Sequence, residues 1–389
     1  MAHRILTLNS ISRRGLERLP HERYEVGPEV AEPDAILVRS ADLHGRAIPP
    51  SVRAVARAGA GVNNIPVDEL SRRGIPVFNS PGANANAVKE LVLAGLLLAA
   101  RNIGPAWLFS RSLGGDDAAI EAAVEKEKKN FVGFELPGRT LGVVGLGAVG
   151  VEVANSALAL GMRVVGYDPQ ITVQRAWQLS ASVGQAASLE DLFAHADAVT
   201  VHVPLNDATR GLVNAARLAR MRKGGTLLNF ARGAIVDTDA VLAALDAGRL
   251  TAYVCDFPSA ALRGHSRVLA LPHLGASTRE AEENCAIMAV EQLREFLENG
   301  NVKNSVNYPE AILPRVPDTT RLAIANANVP NMVGQISTCL ALARINIADL
   351  LNKSRGEYAY TIIDADGAID AGLLARIRAI AGVLSARIV

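Results

Sequence analysis

The chain has 389 residues, with 40 Lys+Arg against 39 Asp+Glu, 49% hydrophobic residues and 20% charged ones. That composition implies two or three globular domains and excludes a wholly disordered or collagen-like chain. A formal charge of +1 gives no global attraction for nucleic acid or an anionic membrane, so any anionic partner must be small and locally bound.

Cys255, Cys285 and Cys339 stand too far apart for a disulfide framework or a CxxC-type zinc site. Reduced thiols and no metal are therefore expected. MAHRILTLNS has no long apolar run and the apolar stretch from Leu91 to Ala100 ends at Arg101, far short of the roughly 20 residues of a bilayer span, so a cytoplasmic location is expected as well. Near the N-terminus, ILTL from Ile5, AILVRS from Ala35, AVARAGAG from Ala54 and IPVFNSPG ending at Gly82 alternate with helical patterns and predict a small βα unit. Residues 84–100 are apolar nearly all round in their C-terminal half, which predicts a buried helix. Residues 114–130 are charged enough for an exposed helix or loop without a catalytic role.

A second series starts at Arg139. TLGVVGLG, MRVVGYDP, AVTVHVPL, GTLLNFARG and TAYVCDF alternate with helices, the signature of a doubly wound parallel sheet. A helix is expected over 279–298. The Asn-, Pro- and Val-rich stretch after it reads as a linker with one extended strand, not as a packed element. Residues 319–389 read strand, helix, two strands, helix, strand, a ferredoxin-like βαββαβ sandwich. The expected division is 1–82 with 274–305, then 83–273, a linker over 306–318, and 319–389.

Gly145, Gly147 and Gly150 form a GxGxxG directly after a strand and at the start of a helix, with Ala148 and Val149 between. Asp168, eighteen residues after Gly150, can accept both ribose hydroxyls of an adenosine. The pyrophosphate would sit on backbone N–H groups at the helix start. Pro169 and Gln170 follow Asp168 with no adjacent arginine, which favours NAD over NADP.

With these motifs stand VRSADL at Val38, RAGAGVNNIPV at Arg57, NSPGANANAVKEL at Asn79, NFARGAIVD at Asn229 and LPHLGASTREAEENCA at Leu271. Over nearly its whole length the chain resembles the D-isomer-specific 2-hydroxyacid dehydrogenases, in their short phosphoglycerate-oxidising form with a C-terminal ACT domain. The resemblance implies two Rossmann-like domains, one for substrate and one for nucleotide, and NAD-dependent oxidation of 3-phospho-D-glycerate to 3-phosphohydroxypyruvate, the first step of serine synthesis. It implies His273 as the acid–base group and Arg232 as the cation that holds the carboxylate. To the cofactor it assigns His202, Val203, Pro204, Thr209, Ala231, Asp256 and Gly275. His3, His21, His44, His195 and His265 match no motif and are expected at the surface.

For the substrate, Gly59 to Val62 can present successive N–H groups as a carboxylate nest, and the family uses Ala60 and Gly61 in that way. Arg39 and Ser40 match the segment that contacts the substrate phosphate, and Asn79 is a further candidate. The family glutamate that orients the histidine is missing from the stretch Cys255 to Ala261. Glu282, Glu283 or a water is expected in its place. Asn328 and Asn346 match positions that hold serine in the ACT domain, whose simpler reading is a dimerisation module. A homodimer or homotetramer is expected. Two rival readings remain: a dehydrogenase of another D-2-hydroxy acid, such as erythronate 4-phosphate, and an NAD-sensing regulatory protein of the same fold.

Overall fold

A computed structural model describes residues 2–389. They divide into two compact units, one running to Asn84 and resuming over Arg279–Val389, the other Ala85–Thr278. Among the described residues no single helix is long and apolar enough to cross a membrane.

In the first unit, strands β1 (His3–Leu8), β2 (Tyr24–Gly27), β3 (Ala35–Val38), β4 (Ala54–Arg57) and β5 (Val77–Phe78) form a parallel sheet in the order β2-β1-β3-β4-β5. β3 is buried along its whole length and β4 over Ala54–Ala56, which is why both read as unbroken apolar runs. The strand order reverses between β1 and β3, so the crevice of this sheet opens at Asn9 and Arg39. The helix Arg279–Asn299 lays Ala286, Ala289, Val290 and Leu293 against this sheet.

The second unit carries β6 (Thr140–Val144), β7 (Arg163–Tyr167), β8 (Gly184–Gln185), β9 (Ala198–Val201), β10 (Gly225–Asn229), β11 (Leu250–Cys255) and β12 (Val268–Ala270). The sheet is parallel, in the order β12-β11-β10-β9-β6-β7-β8. Its order reverses between β6 and β9, where a doubly wound sheet holds its ligand. The helix Ala85–Ala100 is buried on one face only, through Val88, Val92 and Leu96, while Leu97 is exposed. The helix Asp117–Glu127 buries no residue and is capped by Asp116, which accepts from Ala119 N–H at 2.9 Å.

The chain closes on β13 (Thr320–Ala327), β14 (Asn346–Arg355), β15 (Tyr358–Asp366) and β16 (Val383–Ile388), an antiparallel sheet in the order β14-β15-β13-β16. With the helices Met332–Leu342 and Ala371–Arg378 it makes a βαββαβ sandwich. Arg321, fully buried, donates to Asp364 at 2.7 Å and to the carbonyls of Asn299, Leu313 and Pro314. One guanidinium thereby ties the sandwich to the end of the long helix and to the segment before β13.

That segment corrects the expectation of an unpacked linker. Tyr308 and Ala311 are fully buried. Asn307 accepts from Val77 N–H at 2.8 Å and donates to Ile75 O at 3.0 Å. A side-chain amide here does the work of a strand backbone, so polar composition masks burial. His3, expected at the surface, is half-buried with its ring 5.5 Å from Tyr24, and burial lowers its pKa.

Candidate active site

At the β6–β9 reversal two of the three fingerprint glycines have a steric reason. Gly145 has φ of 89°, and a Cβ there would come within 2.7 Å of the His202 carbonyl oxygen. A Cβ on Gly150 would overlap the Gly145 carbonyl oxygen, whereas nothing lies within 4 Å of one on Gly147. The turn is thus closed beneath and open above, a cradle whose floor is the start of the helix Ala148–Ala159. Asp168 accepts from Leu146 N–H and Gln170 N–H, each at 2.8 Å, which sets its carboxylate beside the glycine turn, with Pro169 exposed next to it.

On the far side of the turn, His202 meets Thr200 Oγ1 through Nε2 at 2.9 Å, and burial pushes its pKa down to about 3. A neutral imidazole at this depth is a packing element, not a proton carrier. Val203 and Pro204 continue the loop, which Thr209 closes by donating its hydroxyl to the Pro204 carbonyl at 2.5 Å.

Three neighbouring strands carry candidate site residues beyond their C-terminal ends: Arg232 after β10, Asp256 after β11 and His273 after β12. Asn229, fully buried at the end of β10, donates to Arg232 O at 2.9 Å and accepts from Ala231 N–H at 3.1 Å. The guanidinium donates to Ala231 O at 2.6 Å, leaving further donors for a ligand. Asp256, 1% exposed, accepts from the N–H groups of Leu274 and Gly275 at 2.7 Å each. Its carboxylate, expected on the cofactor side, fastens the loop that carries His273.

His273 is exposed and adopts a left-handed φ of 57°. Its ring lies 5.2 Å from that of Phe257. Among the described residues of its own unit, no carboxylate is hydrogen-bonded to this ring. The expected substitutes are engaged elsewhere: Glu282 pairs with Arg39 at 2.5 Å and Glu283 with Arg14 at 3.3 Å. Both glutamates lie on the long helix of the first unit. Asn229 and Phe257 had no role in the sequence reading. Asn229 stood inside a matched motif and could have been flagged as an amide at a strand end.

In the first unit, Asn9 Oδ1 accepts from Ser40 N–H at 3.2 Å and from Ala41 N–H, which turns the chain after β3 and sets Arg39 at the sheet's reversal. The Asn79 side chain donates to Ala60 O at 2.5 Å, and Arg57 donates to Gly61 O. These bonds hold the carbonyls of the loop to one side. Gly59 N–H donates to Arg57 O at 2.8 Å, so the nest is narrower than expected and rests on Ala60 and Gly61.

Glycine cradle, carboxylate and strand order together define a dinucleotide-binding α/β protein. Residues 103–275 match the family described as D-isomer specific 2-hydroxyacid dehydrogenase, NAD binding domain. D-3-phosphoglycerate dehydrogenase of Haemophilus influenzae is 32% identical over 350 residues, covering 87% of this chain and 82% of that protein. The enzyme of the same name from Mycobacterium bovis is 38% identical over 72% of this chain, which spans about half, 52%, of its length. Among solved structures, NAD+-bound 3-phosphoglycerate dehydrogenase of Entamoeba histolytica is 25% identical with a TM-score of 0.61, covering 79% of this chain and 99% of that one. The chain belongs to the D-isomer-specific 2-hydroxyacid dehydrogenase family.

Proposed function

We propose that this chain oxidises 3-phospho-D-glycerate to 3-phosphohydroxypyruvate with NAD, the first step of serine biosynthesis. The observation that carries this reading is the similarity to the Haemophilus influenzae enzyme along 82% of its length. The open space above Gly147 and the carboxylate of Asp168 beside the turn suit a dinucleotide held by backbone N–H groups and by its ribose hydroxyls. NAD, when bound, supplies the acceptor for the hydride that leaves C2 of the substrate.

The remaining work falls to the chain's own residues. Arg232 holds the carboxylate and stabilises charge on the oxygen as the alcohol becomes a carbonyl. His273 takes the hydroxyl proton as a general base. Phe257 steadies the imidazole where the family places a glutamate, and the exposed ring passes its proton to solvent. Asp256 keeps the histidine loop in register through Leu274 and Gly275.

Ala60 and Gly61 offer N–H groups to the substrate, with Asn79 bracing their loop, and Arg39 and Ser40 face the phosphate. The Glu282 pair holds the Arg39 guanidinium in place until a phosphate dianion competes for it. Replacing Arg39 by alanine raises KM for phosphoglycerate about tenfold or more and leaves KM for NAD unchanged in steady-state kinetics. A variant with unaltered KM would point to a different D-2-hydroxy acid.

The C-terminal sandwich is read as an ACT domain that binds serine between paired copies. Asn328 donates to Gly356 O at 2.9 Å, and Asn346 donates to Asp366 at 2.9 Å, at opposite ends of β15. One copy therefore does not bring the two together, and a serine held by both needs two sandwiches side by side. The exposed edge strand β14 supports such pairing. Exposed Trp107 and Leu108 support a homo-oligomer through a second surface.

A further inference from the structure

Within the first unit, a cavity of about 720 Å³ opens between the β1–β5 sheet and the C-terminal sandwich. Five arginines line it: Arg4, Arg53 and Arg73 from the sheet side, Arg378 and Arg387 from the sandwich. Asp34 is the one carboxylate among the lining residues. It is already engaged, lying 3.4 Å from Arg53 and accepting from Arg4 N–H at 2.8 Å.

Arg4 also lies 3.5 Å from Glu32 and Arg73 3.6 Å from Glu69, two largely exposed carboxylates outside the lining, and the other bonds that aim the lining arginines go to neutral groups. Arg73 donates to the carbonyls of Ile48 and Pro49 at 3.0 and 3.1 Å, and Arg378 donates to Ala386 O at 2.8 Å. Arg387 donates to the carbonyls of Phe296 and Leu297 and stacks 4.4 Å over the Phe296 ring. Carbonyls orient a guanidinium without neutralising it, and Arg378 and Arg387 form no carboxylate salt bridge among the described residues, so the cavity keeps a surplus of positive charge between low-dielectric walls. The spacing of those walls is set by a close contact. Ser385 donates its hydroxyl to Gly74 O at 2.9 Å, and a Cβ on Gly74, whose φ is 72°, would meet Ser385 at 2.7 Å.

We propose that this cleft binds a small multivalent oxyanion, which bridges arginines of the substrate-side sheet and of the C-terminal sandwich and so couples the two. Guanidinium forks suit phosphate and carboxylate oxygens alike, and a volume of about 720 Å³ admits a molecule of several such groups. The site is independent of the glycine cradle and of the catalytic groups, and its test needs no turnover.

Isothermal titration of the full-length Arg39→Ala protein, free of NAD, with pyrophosphate and separately with citrate measures it. Arg39→Ala removes the candidate substrate-phosphate site from the readout. One anion per chain is expected, with a rise in Tm that sodium chloride at equal ionic strength does not reproduce. Preference for pyrophosphate or citrate identifies the physiological class as phosphorylated or polycarboxylic. Adding Arg53→Gln and Arg378→Gln, one from each wall, weakens binding about tenfold or more, and the corresponding lysine pair retains most of it. If the glutamine pair does not fold, Arg73→Gln alone gives the same direction with a smaller change. Equal affinity in the charge-removed and parent proteins, or a chloride effect as large as that of the polyanions, would overturn the proposal.

Discussion

His273 owes its position to a carboxylate that never touches its ring. The left-handed φ of 57° is unusual for a side chain with a Cβ, and it is held because the next two N–H groups both end on Asp256. Asp256→Asn keeps the shape but turns one acceptor into a donor, leaving one amide without a partner. Urea unfolding of that variant shows a loss of roughly 1–3 kcal/mol, together with a fall in kcat larger than any change in KM for NAD. An Asp256→Asn protein with wild-type stability and kcat would show that the loop is fixed by other contacts. This role was hidden in the sequence, where Asp256 and His273 stand in separate motifs with nothing to link them. A pair of backbone N–H donors leaves no mark on residue identity.

At the scale of elements, the glycine turn after β6 is where sequence and structure agree most closely. Gly145 and Gly150 each answer a distinct steric demand while Gly147 leaves the upper side open, and the spacing of the three is visible in a sequence without coordinates. Gly150→Ala drives a Cβ into the Gly145 carbonyl, so the helix start must move. Differential scanning calorimetry records a lower Tm for this variant, and NAD binding measured by fluorescence is lost or strongly weakened. The strands of the second unit were legible for a similar reason: fully buried parallel strands such as β6, β9 and β10 must be apolar throughout. The face of the Ala85–Ala100 helix was not legible, because a segment apolar on nearly every side does not reveal which side it buries. The 306–318 segment failed in the opposite way. Asn307 and Tyr308 satisfy their polar atoms inside the protein, so their burial runs against composition.

For the whole molecule, the Arg321–Asp364 pair is the buried charge on which the first unit depends. Burial pushes the Asp364 carboxyl up, but hydrogen bonds from Arg321 and Val316 N–H and the charge of Arg321 outweigh it, and the pKa ends below the ordinary value. A carboxyl with a depressed folded pKa adds stability that is present above its unfolded pKa, near ~3.9, and lost as pH falls through the folded value. Acid unfolding therefore carries a component from Asp364 below about pH 4. In Asp364→Asn that component disappears from the pH dependence of Tm, while stability at neutral pH falls because Arg321 is left buried and uncompensated, on the order of 3–5 kcal/mol. A variant with the same acid slope as the parent would remove the pair from this role.

The central claim concerns the reaction, and one measurement reaches it most directly: NADH formation by the purified protein with 3-phospho-D-glycerate, beside erythronate 4-phosphate, D-glycerate and D-lactate, for the parent and for His273→Gln. The account predicts turnover selective for phosphoglycerate, and a His273→Gln variant that binds NAD normally while kcat falls by roughly 10²–10⁴. Turnover selective for another of the acids would contradict the substrate assignment. Absence of turnover on all four with NAD still bound would contradict the enzymatic reading and mark the chain as a regulatory protein built on a dehydrogenase fold.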